Sequence, residues 1–475
     1  MKKRIISLVM LLSLVTSLMS CAGDGTGVNP SADGAGNGTE TTEYPLPVKN
    51  FGNEKFTVYT RWYTDGWDWN VNDIYSEENS GDTISNAVHI RNTRVEERYN
   101  IEIEQVKDGL ADDAANIRTI LLSGEDTYDA IIMSGHVMGT LGQEELLYDL
   151  MELDNIDPYA EYWNPTLTDV LTLNGKLYYA MGDLSATDNR AVRCLYFNKD
   201  LFEKYAIEDP YELVKSGKWT HDKFFEIIKS ANFEIDGDGK MTENDIYGLL
   251  TQPSIGVNLY YSTKNQFVSK DENDLLIPSF ADDIDVMQGI SDGVTEALPY
   301  MYVSDDYNKL LDMFAEGHGL FYAEVLIKIE TMRQNSLNVG ILPMPKLDEA
   351  QEGYSQFADG YCLNFAGIPV TSQTPEDSAL ILEALSYESQ DTLTPAYYDI
   401  CLTGKSIRDE ESKDMLDIIF DSYIVDNDEI LKIGVNKNFG GALRGIVGIA
   451  STVASSEKSA NALIEKVNNN LLGIE

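Results

Sequence analysis

Two periods of hydrophobicity alternate along the first third of the chain. Lys55-Phe56-Thr57-Val58-Tyr59-Thr60 has the two-residue alternation of a strand, and Ile84, Val88, Arg91 and Val95 then recur at the spacing of one helix face. Ile101-Glu102-Ile103-Glu104 alternates again. A second helical face through Ile117, Ile120 and Leu121 leads to Tyr128-Asp129-Ala130-Ile131-Ile132-Met133, an apolar run of the kind found in strands buried on both faces. The order βαβαβ predicts an α/β fold with a doubly wound, mostly parallel sheet flanked by helices and a crevice off the carboxyl ends of its strands. No GxGxxG follows the first strand and no GxxxxGK[ST] occurs in the chain, so neither a dinucleotide nor an NTP site is supported.

A different pattern precedes these elements. Lys2, Lys3 and Arg4 lead into an apolar run from Ile5 to Leu18, too short to span a bilayer comfortably and built like a secretory leader. It ends at Leu18-Met19-Ser20-Cys21, which resembles a bacterial lipobox. The resemblance implies a signal peptide over residues 1–20 and a diacylated Cys21, carrying palmitate-type chains, as the new N-terminus. Ala22 to Thr42 is almost entirely Gly, Ala, Asn, Asp, Ser, Thr and Glu, and cannot bury enough apolar surface to offset the entropy of ordering. Residues 21–43 are therefore expected to be a flexible tether. More than one acyl chain on one residue anchors stably, which places the folded part at the extracytoplasmic face of the cell membrane.

The chain has 475 residues, and about 430 remain after the leader and tether, enough for two or three compact domains. Its formal charge of −44 falls to −47 once the three leader cations are removed. Such a charge repels phosphate backbones and anionic headgroups, which excludes nucleic-acid binding and disfavours highly anionic ligands. Cys194, Cys362 and Cys401 are odd in number, widely spaced and without a metal-ligand pattern, so they read as small buried residues with at most one disulfide. His89, His136, His221 and His318 are scattered, and HExxH, GxSxG and CxxC are absent. An enzyme is not expected.

Five segments of the middle of the chain carry a family resemblance. Asn174-Gly175-Lys176-Leu177-Tyr178-Tyr179-Ala180, then Leu195-Tyr196-Phe197-Asn198-Lys199-Asp200-Leu201-Phe202, then Gly217-Lys218-Trp219-Thr220-His221-Asp222-Lys223-Phe224 stand in that order. Phe314-Ala315-Glu316-Gly317-His318-Gly319-Leu320-Phe321-Tyr322-Ala323-Glu324 and Val339-Gly340-Ile341-Leu342-Pro343-Met344-Pro345 follow. Together they resemble the extracellular solute-binding proteins of ABC importers, sugar-type members included. The resemblance implies a two-lobe periplasmic-binding-protein-like (type II) fold, with crossovers near residues 184–192, 338–346 and 395. Lobe 1 is expected over 44–186 and 343–395, lobe 2 over 187–342 and 396–475. It further implies a monomer that takes a solute in the interlobe cleft, closes by a hinge and meets the permease subunits of the importer.

Candidate contacts follow from residue chemistry at these places. Arg61-Trp62-Tyr63-Thr64-Asp65-Gly66-Trp67-Asp68-Trp69-Asn70 puts three of five tryptophans after the first strand, where flat rings suit the C–H face of a sugar and carboxylates, amides and guanidinium groups suit its hydroxyls. Trp62 and Trp67 are the candidate platforms. Asp188 and Arg190 lie at the first crossover; Glu324, Asp359 and Tyr361 fall where relatives place ligand contacts. Asp188 has a turn-capping alternative, and Glu324 an ion pair with Lys328 one turn later.

A second constellation has calcium-loop spacing. Glu234-Ile235-Asp236-Gly237-Asp238-Gly239-Lys240-Met241-Thr242-Glu243-Asn244-Asp245 carries oxygen side chains at positions 1, 3, 5 and 12, Gly at 6 and an apolar residue at 8, with the Lys240 carbonyl at 7. Glu at position 1 and the short Asp245 at 12 depart from the usual loop. The expected cofactor is structural Ca2+, with an ion-free polar turn as the alternative. Two other functions share parts of the pattern. A surface glycan-binding lipoprotein of the starch-utilisation type is similar in anchor and aromatic content but mostly helical-repeat, and a secreted glycoside hydrolase would need a carboxylate pair.

Overall fold

The computed structural model describes residues 45–77, 81–107, 109, 113–332, 337–403 and 410–473. The leader, Cys21 and the tether lie outside the described residues. The first strand, β1, is Glu54–Thr60, and the helix α1 over Thr83–Tyr99 starts where the Asp82 side chain accepts the Ser85 N–H at 3.0 Å. Such a cap is worth about 1 kcal/mol. Asn100, at φ 51°, ends α1 in the left-handed conformation and turns the chain into β2, Ile101–Lys107. The helix α2 over Ala114–Ser123 is capped by Asp113 and ends at Gly124, and β3, Ala130–Ser134, is buried throughout. Ser134 then caps α3, Gly135–Gln143.

These elements build the first sheet, in the order Asn364–Gly367, β3, β1, β2. β1 is parallel to both neighbours, and the late strand Asn364–Gly367 returns antiparallel on β3. A second, six-stranded sheet has the order Val339–Leu342, β4 (Arg193–Asn198), Gly319–Val325, β6 (Ile246–Thr251) and β5 (Asn232–Phe233), with Met301–Val303 also on β6. This sheet is mixed. Gly319–Val325 and Met301–Val303 run parallel to β6, whereas β4 runs antiparallel to both of its neighbours. The expected crossing near 395 falls within a helix, Leu393–Thr403, which packs against α1.

Buried polar groups tie the loop after β1 to the first crossover. Arg91, on the inner face of α1, is fully buried and donates to the carbonyls of Asp73 (2.7 Å) and Leu184 (2.9 Å). Asp73 accepts from Ser185 Oγ at 2.8 Å and from the Ala186 N–H at 2.6 Å. An unpaired buried polar group costs about 1–3 kcal/mol, so these bonds fix where the loop and the crossover lie. A Cβ added at Gly139 of α3 would stand 2.2 Å from the Ile430 carbonyl, which is why the helix Asn427–Ile430 can lie against α3.

Candidate functional site

Because β2 and β3 flank β1 on opposite sides and both pairs are parallel, the β1/β3 boundary is a topological switch point, the place where open α/β sheets hold ligands. The loop after β1 and the start of α3 border it. Arg61, buried at the head of that loop, donates Nη1 to the Tyr361 carbonyl at 2.7 Å. Its guanidinium lies 4.6 Å from the Trp67 ring centre and 4.7 Å from that of Tyr361. His136 lies 5.6 Å from the Tyr361 ring, and Tyr63 meets Trp67 edge-on at 5.9 Å. The product is an aromatic wall held from behind by one cation.

The second sheet contributes a polar wall. The carboxyl ends of β6 and Gly319–Val325 share an edge with the start of antiparallel β4, which gathers Gln252, Glu324 and Arg193. Arg193 Nη1 donates to Glu324 Oε1 at 2.7 Å and Nη2 lies 3.6 Å from Asp359 Oδ2. Gln252 donates to the other Glu324 oxygen. Burial pulls the Arg193 guanidinium down, but Glu324 and Asp359 outweigh it and hold the cation above its ordinary value. Asp359 also accepts the Tyr361 N–H at 2.9 Å, which links this wall to the aromatic one.

Beside Arg193 and Asp359 opens a cavity of about 400 Å³, within the range of small-molecule sites. It is walled by the helix Ile255–Ser262, by Phe357, by Glu429 and by the helix Asn436–Ala442 with Arg444 beyond it. Four of its residues carry a buried polar atom with no hydrogen-bond partner among the described residues: Arg193 Nε, Ser254 Oγ, Asn436 Oδ1 and Arg444 Nε. Such atoms are rare in folded proteins. All four residues line the same cavity. Glu429 accepts from the Gly360 N–H (3.1 Å) and Asn436 Nδ2 (2.8 Å), and burial together with Asp359 raises its carboxyl well above the usual range.

The expected contacts are distributed unevenly over this arrangement. Asp359 lines the cavity, Glu324 buttresses Arg193 beside it, and Tyr361 and Trp67 form the aromatic wall. Glu324 is 3% exposed and its partner is Arg193; Lys328 reaches Asp68 instead, at 2.7 Å, because the strand ends at Val325 before the turn that carries Lys328. Trp62 is half-buried, with the Lys107 ammonium 3.5 Å from its ring centre, on the β2 side of β1. Arg190 is buried, pairs with Glu330 at 3.0 Å and lies 5.7 Å from the Tyr397 ring. Asp188 sits in the short helix Thr187–Arg190 and its side chain lies outside the description.

The sequence reading missed Arg193, Ser254, Asn436 and Arg444. Arg193 opens an otherwise apolar strand, and Gln252-Pro253-Ser254 follows the carboxyl end of β6; both were findable from the sheet-edge rule. Nothing local marks residues 436–444.

In the acidic loop, carboxylate oxygens of Glu234, Asp236 and Asp245 lie within 4.8 Å of one another. Asp245 accepts the N–H groups of Ile235 (2.8 Å) and Thr242 (2.7 Å), which hold its carboxyl below its ordinary value. Asp238 Oδ1 instead accepts the Lys240 N–H at 2.7 Å. Cys194 and Cys362 are buried, and the Cys194 thiol donates to the Glu324 carbonyl at 3.6 Å.

Residues 93–396, well over half of the chain, match the model of a family described as bacterial extracellular solute-binding protein, and the chain belongs to that family. Solved structures share its fold. The GacH receptor of Streptomyces glaucescens, crystallised unliganded and with acarbose, is 13% identical at a TM-score of 0.56 over 87% of this chain and 99% of that one. Lmo0181 of Listeria monocytogenes, an ABC substrate-binding protein in complex with cycloalternan, is 14% identical at 0.54 over 89% of this chain and 100% of that one. A cyclo/maltodextrin-binding protein complexed with maltotetraose is 14% identical at 0.58 over 86% and 97%. These likenesses define the two-lobe type II architecture. Among curated protein sequences none matches significantly.

Proposed function

We propose that this chain is the substrate-binding lipoprotein of an ABC importer, taking an oligosaccharide between its lobes and presenting it to the permease after hinge closure. The observation that carries this reading is the cavity beside Arg193 and Asp359 with its four unpartnered buried polar atoms, joined through Asp359 and Tyr361 to the aromatic wall. A sugar needs both surfaces, rings against its C–H face and a polar set around its hydroxyls. Acarbose, cycloalternan and maltotetraose, the ligands of the similar structures, support the class. The two sheets do not fit the helical-repeat alternative. The lobes, over 44–186 with 343–395 and 187–342 with 396–475, are proposed as the moving bodies, Cys21 as the lipid anchor, and a monomer as the working form.

Calcium at the Glu234–Asp245 loop is a structural accessory in this reading. Three carboxylates converge there and further oxygens would come from backbone and water, since the ion takes six to eight. Calorimetric titration with an oligosaccharide panel tests the main proposal. One-to-one binding at about micromolar affinity or tighter, without product sugars, is expected. The variant Gly440→Leu should lose it while still folding, because a side chain at Gly440 meets no atom within 4 Å on a helix that lines the cavity. Release of product sugars would establish a hydrolase instead.

A further inference from the structure

The charge of the cavity differs from that of the chain. Acidic residues outnumber basic ones 79 to 35 overall, yet three cations and two acids line this site. Both acids are occupied. Asp359 faces Arg193, and Glu429 is taken up by the Gly360 N–H and Asn436 and is driven by burial toward its neutral form. The charge of Arg193 is in turn paired, through Nη1 and Nη2, with Glu324 and Asp359. That leaves Arg444, partly buried, with no ion pair among the described residues; Lys437, exposed at the rim, makes no close ion pair there but acts electrostatically on Asp428. The Arg444 Nε is buried without a hydrogen bond, and Asn436, 6% exposed, keeps an unpartnered Oδ1 nearby on the same wall.

The buried Arg444 Nε has given up water without gaining a protein acceptor, and its guanidinium has no carboxylate partner among the described residues, so an acceptor entering the cavity would relieve it. A neutral sugar offers Arg444 hydroxyl oxygens alone. A carboxylate or a sulfate ester offers its fork two oxygens for charge-assisted bonds, roughly twice as strong as neutral ones. Gly440 and Gly441 present no side chain on this wall, so a guest can approach the helix closely beside Arg444. The overall negative charge does not oppose this, because fields from distant surface carboxylates are screened beyond about 8–10 Å at physiological salt.

Building on the oligosaccharide reading above, we infer that the bound sugar is acidic: it carries a carboxylate or a sulfate ester that Arg444 receives, with Lys437 at the rim, while Ser254, Asn258 and Asn436 meet neutral hydroxyls. The site then discriminates by charge within the class of oligosaccharides, which the −44 of the whole chain would not suggest.

The test pairs ligands that differ in charge alone. Trimers of galacturonate, glucuronate and mannuronate are titrated calorimetrically into the intact protein beside their methyl esters, and sulfated oligosaccharides beside their desulfated forms. At least one acid should bind about tenfold or more tighter than its neutral counterpart, about 1.4 kcal/mol, with the advantage shrinking as salt rises. Whether the uronates or the sulfated sugars show it identifies the source of the charge. Arg444→Gln should remove the preference and Arg444→Lys retain part of it; the wild-type comparison stands even if either variant folds poorly. Equal binding of acids and neutral partners, or preference for the neutral ones, overturns the acidic-sugar inference and leaves the oligosaccharide reading intact. Binding of no saccharide overturns both.

Discussion

Removing Arg193 should destabilise the protein more than any single surface charge. Arg193→Met leaves Glu324 with 3% exposure and without its cation, and one-sided loss of a buried pair costs about 3–5 kcal/mol. Two features place the value near the lower end. Arg193 keeps 12% exposure, and Glu324 retains Gln252 Nε2 and the Val325 N–H at 3.0 Å. Asp359, 22% exposed and 3.6 Å away, adds little. The expected loss is therefore about 3 kcal/mol, read as a shift of the urea midpoint at constant m. Glu324→Leu alone should cost a similar amount by stranding Arg193. The double variant Arg193→Met/Glu324→Leu should recover to within about 1 kcal/mol of wild type, a coupling of several kcal/mol. Additive single costs, or a cost below about 0.5 kcal/mol for Arg193→Met, would refute the claim that the two residues form a closed buried unit.

Millimolar calcium should raise the melting temperature, since an ion that binds only the folded state stabilises it, and Asp236→Ala/Asp245→Ala should abolish that rise; an unchanged response sinks the site. Asp183, pushed up to about 6 by burial, favours its protonated form in the folded state. A raised carboxyl contributes stability that is full below about pH 4 and lost as pH climbs through 6, so Asp183→Asn should be more stable than wild type by about 1–2 kcal/mol at pH 7 and equal to it near pH 4. His221 has the opposite sign: burial lowers it to about 4, so its contribution is full above about 6.5 and lost on acidification, and His221→Gln should flatten the acid limb of a thermal melt series. Cys21→Ala should release the protein from the membrane fraction with its far-ultraviolet spectrum unchanged; retention would count against acylation.

Local periodicity made the first sheet legible. Ile84, Val88, Arg91 and Val95 are all buried on α1, although Arg91 owes its place to the carbonyls of Asp73 and Leu184 rather than to apolar packing. Spacing also suggested the Glu324–Lys328 pair, which does not form because helical spacing does not apply across the end of a strand. Trp62 and Trp67 look alike in sequence, and only the β1–β2 register shows that Trp62 falls against Lys107 while Trp67 stacks on Arg61. Asp359 was readable from the family resemblance, which implies a ligand contact at that place. Asn436 and Arg444 were not, since the long return of the chain after residue 410 brings them to Arg193, and no local pattern records a contact between residues so far apart in sequence.

Hydrogen exchange with and without a bound oligosaccharide puts the cleft assignment to its most direct test. Ligand should slow exchange in four separate stretches at once: 61–70 after β1, 252–258 after β6, 357–361 ahead of the strand Asn364–Gly367, and 436–444. Protection spread evenly over the chain, or confined to the 234–245 loop, would contradict the placement of the ligand between these walls.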